Sequence, residues 1–270
     1  RRRQEREPKA LESRCLFRRI PRRRLKRWRD EPARTRSHRP WSLFEDPPDH
    51  GRCGESVMVL KAGTNGAFQQ RCSMQSIGDQ SFMHRRELEF EQHRTTILIG
   101  RGLLGRARDL LVAEAGLATD DRVHLAIDSG PDGIVVDRHG RVLEAALASG
   151  SGVSGTTLEA TESAKSVEAV ERLWDGLRDA GVDRQGLLMA LGGGIVCDIA
   201  GFAASGWMRG IDLVLAPTTL LAMVDAAIGG KTGVNRPLAD GGLGKNLVGA
   251  FWPARLVICD CDVLSTLGSR

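Results

Sequence analysis

"LLMALGGGIVCDIAGFAASG", residues 187–206, joins a short apolar run, three consecutive glycines and a second small-residue stretch that holds a single acid, Asp198. Extended to 186–208, the segment has the length of a membrane span and one charge. Asp198 near its middle would cost roughly 2.5–3.5 kcal/mol to insert, and six glycines suit a lipid-facing helix poorly. A strand at 187–191, a glycine turn and a helix from about residue 195 account for the same residues without that cost. Such a turn lets the backbone approach a ligand closely, while the helix N-terminus presents free N–H groups and the positive end of its dipole. A nucleotide or dinucleotide phosphate fits this arrangement, and so does a tight structural turn. The spacing departs from the strict G-x-G-x-x-G pattern, because position 197 is Cys.

The surroundings set this turn in an α/β chain. "TTILIG" (95–100) is a β-branched run ending in glycine, and "LLGRARDLLVAEAG" (103–116) carries a helical apolar stripe that stops at Gly116. "RVHLAID" (122–128) alternates, with Val123, Leu125 and Ile127 on one face. A helix is expected over about 134–148. Another spans 166–181, with Ser166 as N-cap, Val167, Val170, Leu173, Trp174 and Leu177 on one side and Gly181 as stop. "DLVLA" (212–216) and "RLVICD" (255–260) supply two more strands. Strands alternating with helices predict a Rossmann-like, mostly parallel sheet with flanking helices.

Composition divides the chain of 270 residues unevenly. Residues 1–40 hold 15 Arg and 2 Lys against 5 acids, a local net of +12, whereas the whole chain is only +5, which leaves about −7 for the remainder. A nucleic-acid-binding argument therefore rests on the arm alone. Proline breaks "RRIPRRRLKRWRD", and nothing aromatic or helical organises its arginines into a reading surface. We expect residues 1–86 to be a disordered, non-functional extension and 87–270 to be the α/β domain. The first residue is Arg rather than Met, and the chain ends at "STLGSR", which suggests a fragment. The six cysteines lack metal-site spacing and suit reduced thiols in a cytoplasmic protein. No apolar segment follows the N-terminal charges as a secretory signal would require.

A second glycine-rich region, "APTTLLAMVDAAIGGKTGVNRPLADGGLGKN" (216–246), follows the strand at 212–216. Thr218 and Thr219 can cap the next helix or offer hydroxyls to a phosphate. Asp225 falls at that helix's C-terminal end, where the dipole disfavours a negative charge, so a partner is expected in Lys231 or Lys245. Glycines, two lysines and Asn246 together suit a phosphorylated, polyhydroxylated ligand.

"ALGGGIVCDIAGFAASGWMRG", "PTTLLAMVDAAIGGKTGVN" and "GKNLVGAFW" together resemble the 3-dehydroquinate synthase family of the sugar-phosphate cyclases, over about residues 94–267. The resemblance implies a cytoplasmic homodimer that binds NAD and a seven-carbon keto-acid phosphate. One hydroxyl is oxidised transiently, phosphate is eliminated, the ketone is reduced back, and an aldol step closes the ring. It also implies that Asp225, Lys231 and Asn246 contact substrate, and that Arg209 reaches the neighbouring subunit's phosphate site. On the cofactor side it implies Asp128 at the adenosine ribose, Glu162 and Lys165 as further contacts, and Gly193, Gly194, Ile195 and Asp198 along the pyrophosphate turn. Thr218 and Thr219 follow that turn, Lys231 and Lys245 lie near the nicotinamide end, and Val263, Leu264, Ser265 and Thr266 close over the adenosine.

Several positions depart from the family pattern. Gly130 stands for Asn, Thr161 for Gly, and Cys197 for Gly, the last adding a side chain near the cofactor turn. Residues 239–243 form a five-residue insertion that leaves the placement of Asn246 open. The family's divalent metal, Zn or Co, is held by one Glu and two His of a helical C-terminal domain. The last histidine here is His139, so we expect that domain to be missing from this chain, the metal ligands with it, and turnover to be absent. One rival reading is a related cyclase acting on another sugar phosphate; the other is a non-catalytic NAD-fold scaffold with a nucleic-acid-binding arm. A scaffold would not require Asp225, Lys231, Lys245 and Asn246 together.

Overall fold

The computed structural model describes residues 56–60, 68–77, 81–90, 93–118, 120–130, 133–148 and 152–266. Among the described residues, eleven strands run in chain order: β1 (Ser56–Leu60), β2 (Phe68–Ile77), β3 (Ser81–Phe90), β4 (His93–Gly100), β5 (Val123–Asp128), β6 (Val153–Leu158), β7 (Leu187–Gly192), β8 (Asp212–Pro217), β9 (Lys231–Pro237), β10 (Leu243–Phe251) and β11 (Leu256–Asp260). Four α-helices accompany them: α1 (Ala107–Leu110), α2 (Arg141–Leu147), α3 (Val167–Asp179) and α4 (Gly194–Gly206).

Nine strands form one sheet in the order β1-β2-β3-β4-β11-β8-β7-β5-β6. The first four make an antiparallel meander, and β4 through β6 in that order pair in parallel. The expected mostly parallel α/β architecture is therefore what the chain adopts. β5 and β7 are buried along their whole length, as central strands covered on both faces should be. The expected one-sided alternation of 122–128 is thus not seen, since His124 and Ala126 are as buried as Val123. Right-handed crossovers carry the chain one way through α1 and α2 and back through α3 and α4, which sets the two helix pairs on opposite faces. α3 buries Ala169, Val170, Leu173 and Leu177. The Trp174 indole donates to the Ala203 carbonyl of α4 at 3.0 Å.

The boundary expected at 86/87 falls inside β3, which runs unbroken from Ser81 and pairs with β4 from His84 to Phe90. Among the described residues, sheet structure begins at Ser56. The polar character of "FQQRCSMQSI" and "SFMHRRELEF" explains why no apolar period marks these antiparallel strands. The basic arm, residues 1–40, lies outside the described residues. Ser166 has the extended backbone of an N-cap, but its side chain makes no cap bond. Its hydroxyl turns to Glu168, whose carboxyl it helps hold below the usual range. Among the described residues, no helix is long and apolar enough to cross a membrane.

Candidate functional site

The sheet reverses its winding between β5 and β7: β6 lies outside β5, whereas β8 and β11 follow β7 in the other direction. Open α/β sheets bind ligands in the crevice above such a reversal, at the carboxyl ends of the strands. Asp128 ends β5 there and Gly192 ends β7. A Cβ added to Gly192 would meet the Asp128 Cβ at 3.0 Å and Val196 at 2.7 Å, so only glycine fits between them. Gly193 is the N-cap of α4, and the first bond of that helix runs from the Cys197 amide to the Gly193 carbonyl at 3.1 Å. The amides of Gly194, Ile195 and Val196 therefore have no intrahelical acceptor. Above them, Thr219 accepts the Ala222 amide at 3.2 Å, opening the turn that follows β8. Thr218 ties that strand end to β7, its amide donating to the Gly192 carbonyl at 2.9 Å.

Asp128 accepts the Gly130 amide at 2.8 Å, and Gly130 is left-handed at φ +54. Asn and Gly both tolerate that conformation, so the exchange of one for the other leaves the turn intact. Thr161 likewise organises its loop, accepting the Ala164 amide at 3.2 Å. Cys197 adds its side chain next to the glycine turn, as expected, but on the core side. Its thiol is 2% exposed and packs toward the Gly192 carbonyl within the core, and burial pushes its pKa up to about 12.

The β9–β10 ribbon brings the second set of residues over α4. Gly201 makes the approach possible, because a Cβ there would sit 2.3 Å from the Thr232 methyl of β9. Residues 238–242 form the ribbon's tip, closed by a bond from the Leu238 amide to the Gly242 carbonyl at 2.8 Å, and Leu243, the last residue of the expected insertion, already lies in β10, paired with Pro237. Below the tip, Arg236 pairs with Gly244 and Val234 with Val248, so Lys245, Asn246 and Leu247 bulge opposite Asn235 alone. Asn246 is left-handed at φ +52 within this bulge.

The bulge turns Asn246 toward Lys165, whose Nζ is held between Asn246 Oδ1 and Asp198 Oδ2. Lys165 is 5% exposed, a buried cation satisfied by these two acceptors. Burial pushes the Asp198 carboxyl above the usual range, and Asp225 and Glu162 add to the rise against the pull of Lys165. Glu162 is held below its ordinary range, first by the Asn235 amide and then by Lys245, which lies 3.5 Å away. Asp198, Lys231, Asn246 and the β10 residues Leu247, Gly249 and Phe251 line a cavity of about 360 Å³.

The structure thus gathers Asp128, Glu162, Lys165, Gly193, Gly194, Ile195, Asp198, Thr218, Thr219, Lys231, Lys245 and Asn246 at one edge of the sheet. Val263, Leu264, Ser265 and Thr266 follow β11 at the same edge. Asp225 is close enough to influence Asp198, but it pairs with neither Lys231 nor Lys245, contrary to expectation. The bulge commits Lys245 to Glu162, and Asp225 stays exposed on its π-helical turn, Ala222–Ala226. Arg209 stands apart. It precedes β8, at the far end of the 13-residue α4, roughly 20 Å of helix away from the glycine turn. Met208 and Arg209 are both left-handed, at φ 47 and 70, and hold the exposed guanidinium away from this site. Asn235 was missed by sequence reading, although it bonds to residues on both sides of the site. Its only local signal was its place in "GGKTGVN".

Residues 155–270 match the family model described as 3-dehydroquinate synthase N-terminal. A 3-dehydroquinate synthase from Cyanothece sp. is 43% identical over 175 residues, 64% of this chain and 45% of that protein. The chain spans about half the length of the curated relatives it matches. Among solved structures, 2-deoxy-scyllo-inosose synthase complexed with carbaglucose-6-phosphate, NAD+ and Co2+ aligns with TM-score 0.57 and 28% identity, over 68% of this chain and 47% of that one. 2-Epi-5-epi-valiolone synthase from Streptomyces hygroscopicus, with NAD+ and Zn2+ bound, aligns with TM-score 0.53 and 33% identity, over 66% and 46%. By motif, by fold and by these matches, residues 155–270 are similar to the N-terminal part of the 3-dehydroquinate synthase family.

Proposed function

We propose that the chain carries the NAD-binding surface, and part of the substrate-binding surface, of a 3-dehydroquinate synthase. The reaction is the cyclisation of 3-deoxy-D-arabino-heptulosonate 7-phosphate to 3-dehydroquinate with loss of phosphate, a carbon–oxygen lyase step of the shikimate pathway. One observation carries this reading: Lys231, Asn246 and Asp198 line a single cavity between the β9–β10 ribbon and α4, the helix that the glycine turn starts at the sheet's winding reversal.

The residues fit a dinucleotide. The bare Gly193–Gly194 turn is a cradle that side chains would fill, since a Cβ on Gly194 would lie 3.3 Å from the Ala226 methyl. The amides of Gly194 and Ile195 would hold the pyrophosphate, and Asp128 would accept from ribose hydroxyls. Thr218 and Thr219 add hydroxyls, Glu162 and Lys165 border the cofactor, and Val263–Thr266 cover its adenosine end. NAD, when bound, supplies a reversible hydride acceptor. Lys231 places a positive charge where a phosphorylated ligand enters, and Asn246 and Asp225 orient hydroxyls. The working unit is a cytoplasmic homodimer in which Arg209 serves the partner's phosphate site.

A resident metal is a different matter. No group of three or more His, Cys, Asp or Glu among the described residues could hold one, so no step is drawn through it. Calorimetric titration of NAD into the purified chain tests the reading. Saturable binding that Asp128→Ala weakens at least tenfold supports it. No binding at millimolar NAD overturns it.

A further inference from the structure

We propose that Asn235 is a positioning residue that fastens the cofactor-side pair Glu162 and Lys165 to the substrate-side Asn246, so that both ligand surfaces are ordered as one unit. The proposal rests on the NAD reading above and extends it to a residue outside the ligand contacts.

Asn235 is 3% exposed, and its polar atoms are committed in two directions. Its backbone amide donates to the Lys165 carbonyl at 2.9 Å. Its side-chain Nδ2 donates to the Glu162 carbonyl at 2.9 Å and to Glu162 Oε2 at 3.0 Å. Its Oδ1 accepts the Asn246 amide at 2.9 Å. One side chain therefore donates to the loop after β6 and accepts from the bulge in β10. Among the side chains of similar size, only an amide can do both at once, because a carboxylate has no proton to donate and a hydroxyl is too short to span the gap.

The acceptor end carries the larger consequence. Asn246 is a non-glycine residue in left-handed backbone, a conformation that persists where its surroundings hold it. The bond from its amide to Asn235 is the one that crosses the bulge, where the ladder supplies none. With Asn246 so held, its side-chain oxygen meets the buried Lys165 ammonium. Without Asn235 the bulge loses its anchor, Lys165 loses one of its two acceptors, and Glu162 loses the donor that chiefly stabilises its charge. A buried donor or acceptor left unmatched is costly, more so beside a charge.

The test uses the full 270-residue chain with Asn235→Ala and Asn235→Asp, reading NAD affinity by calorimetry and Asn246 amide exchange by NMR. Asn235→Ala is expected to speed Asn246 exchange at least tenfold and weaken NAD at least tenfold. Asn235→Asp keeps the acceptor, so Asn246 stays protected, but its carboxylate faces Glu162. Relative to wild type, its NAD affinity should be low at pH 8 and recover at pH 5, when a shared proton restores the donor. A merely structural role would not give that pH dependence. Wild-type affinity in both variants overturns the proposal, as does a loss in Asn235→Asp that ignores pH. If the wild-type chain binds no NAD, the cofactor reading fails. The exchange rate in Asn235→Ala then decides alone: unchanged exchange overturns the positioning role, and tenfold faster exchange upholds it.

Discussion

Lys245 reaches from the bulge in β10 to the loop after β6, its Nζ 3.5 Å from Glu162 Oε2, with both side chains exposed to solvent. Exposed pairs of this kind contribute little to folding, since solvent screens them and two long side chains must be ordered. Lys245→Ala should therefore leave the urea midpoint essentially unmoved. It should weaken NAD severalfold, an effect that falls away in 1 M salt. Urea denaturation and NAD titration at two ionic strengths check both halves.

His124 gives the fold a pH dependence of known direction. Its ring lies between Ser154 Oγ at 2.8 Å and Thr156 Oγ1 at 2.9 Å, and burial lowers its pKa to about 4. The unfolded chain, titrating near 6.5, binds this proton when the folded chain does not, so stability is full above pH 6.5 and falls as pH drops toward 4. The loss across that window is on the order of 3 kcal/mol. His139, also lowered by burial, acts in the same direction. Denaturant titrations from pH 7.5 to 4 should show the decline, and His124→Gln should flatten it while lowering stability at neutral pH.

The contact of α4 with β9 can be tested by exchanging volume. Gly201→Ala puts a methyl against Thr232 and should cost about 1–3 kcal/mol, the usual penalty of overpacking. Thr232→Ser removes the offending methyl and keeps the hydroxyl that donates to the Ala250 carbonyl. The double variant should recover most of the loss, and additive penalties in thermal denaturation would show that the two positions do not share space.

Thiol labelling separates the three cysteines whose surroundings are described. Cys197 and Cys259 are buried, and burial pushes both up to about 12, whereas Cys261 is half-buried. Iodoacetamide at pH 8 should modify Cys261 in the native protein and leave the other two untouched until denaturant is added, as peptide mass spectrometry would record.

Lys231 lines the cavity from the start of β9 and forms no ion pair among the described residues. In a protein that turns over the keto-acid phosphate, Lys231→Ala should lower the rate by about 10²–10³ with the fold intact, the usual effect of removing one preorganised charge. Steady-state rates and circular dichroism would measure the two.

The parts of this fold that were legible in the sequence are those whose signal is local. β7, the glycine turn and α4 are contiguous, and central parallel strands read as apolar runs because both faces are covered. β2 and β3 were missed because "FQQRCSMQSI" and "SFMHRRELEF" spend most of their positions on polar side chains. The partner of Asp225 was misassigned because sequence distance favoured Lys231 and Lys245, while the register of β9 against β10 sends Lys245 elsewhere. Asn235 was invisible for the same reason. Its bond to Glu162 crosses 73 positions, and its bond to Asn246 exists only where the ladder slips.

The slip in that ladder also sets what evolution and the laboratory can do with the ribbon's end. Residues beyond Arg236 and Gly244 return on themselves through Leu238 and Gly242. The distance from Asn235 to Asn246 is fixed below them, so the tip is free to change length without altering the reach of either. A dye or an affinity handle inserted at exposed Asp240 would ride on the same two strands that carry Lys231 and Asn246. Its signal on adding ligand would report on the ribbon, while leaving the chemistry beneath it untouched.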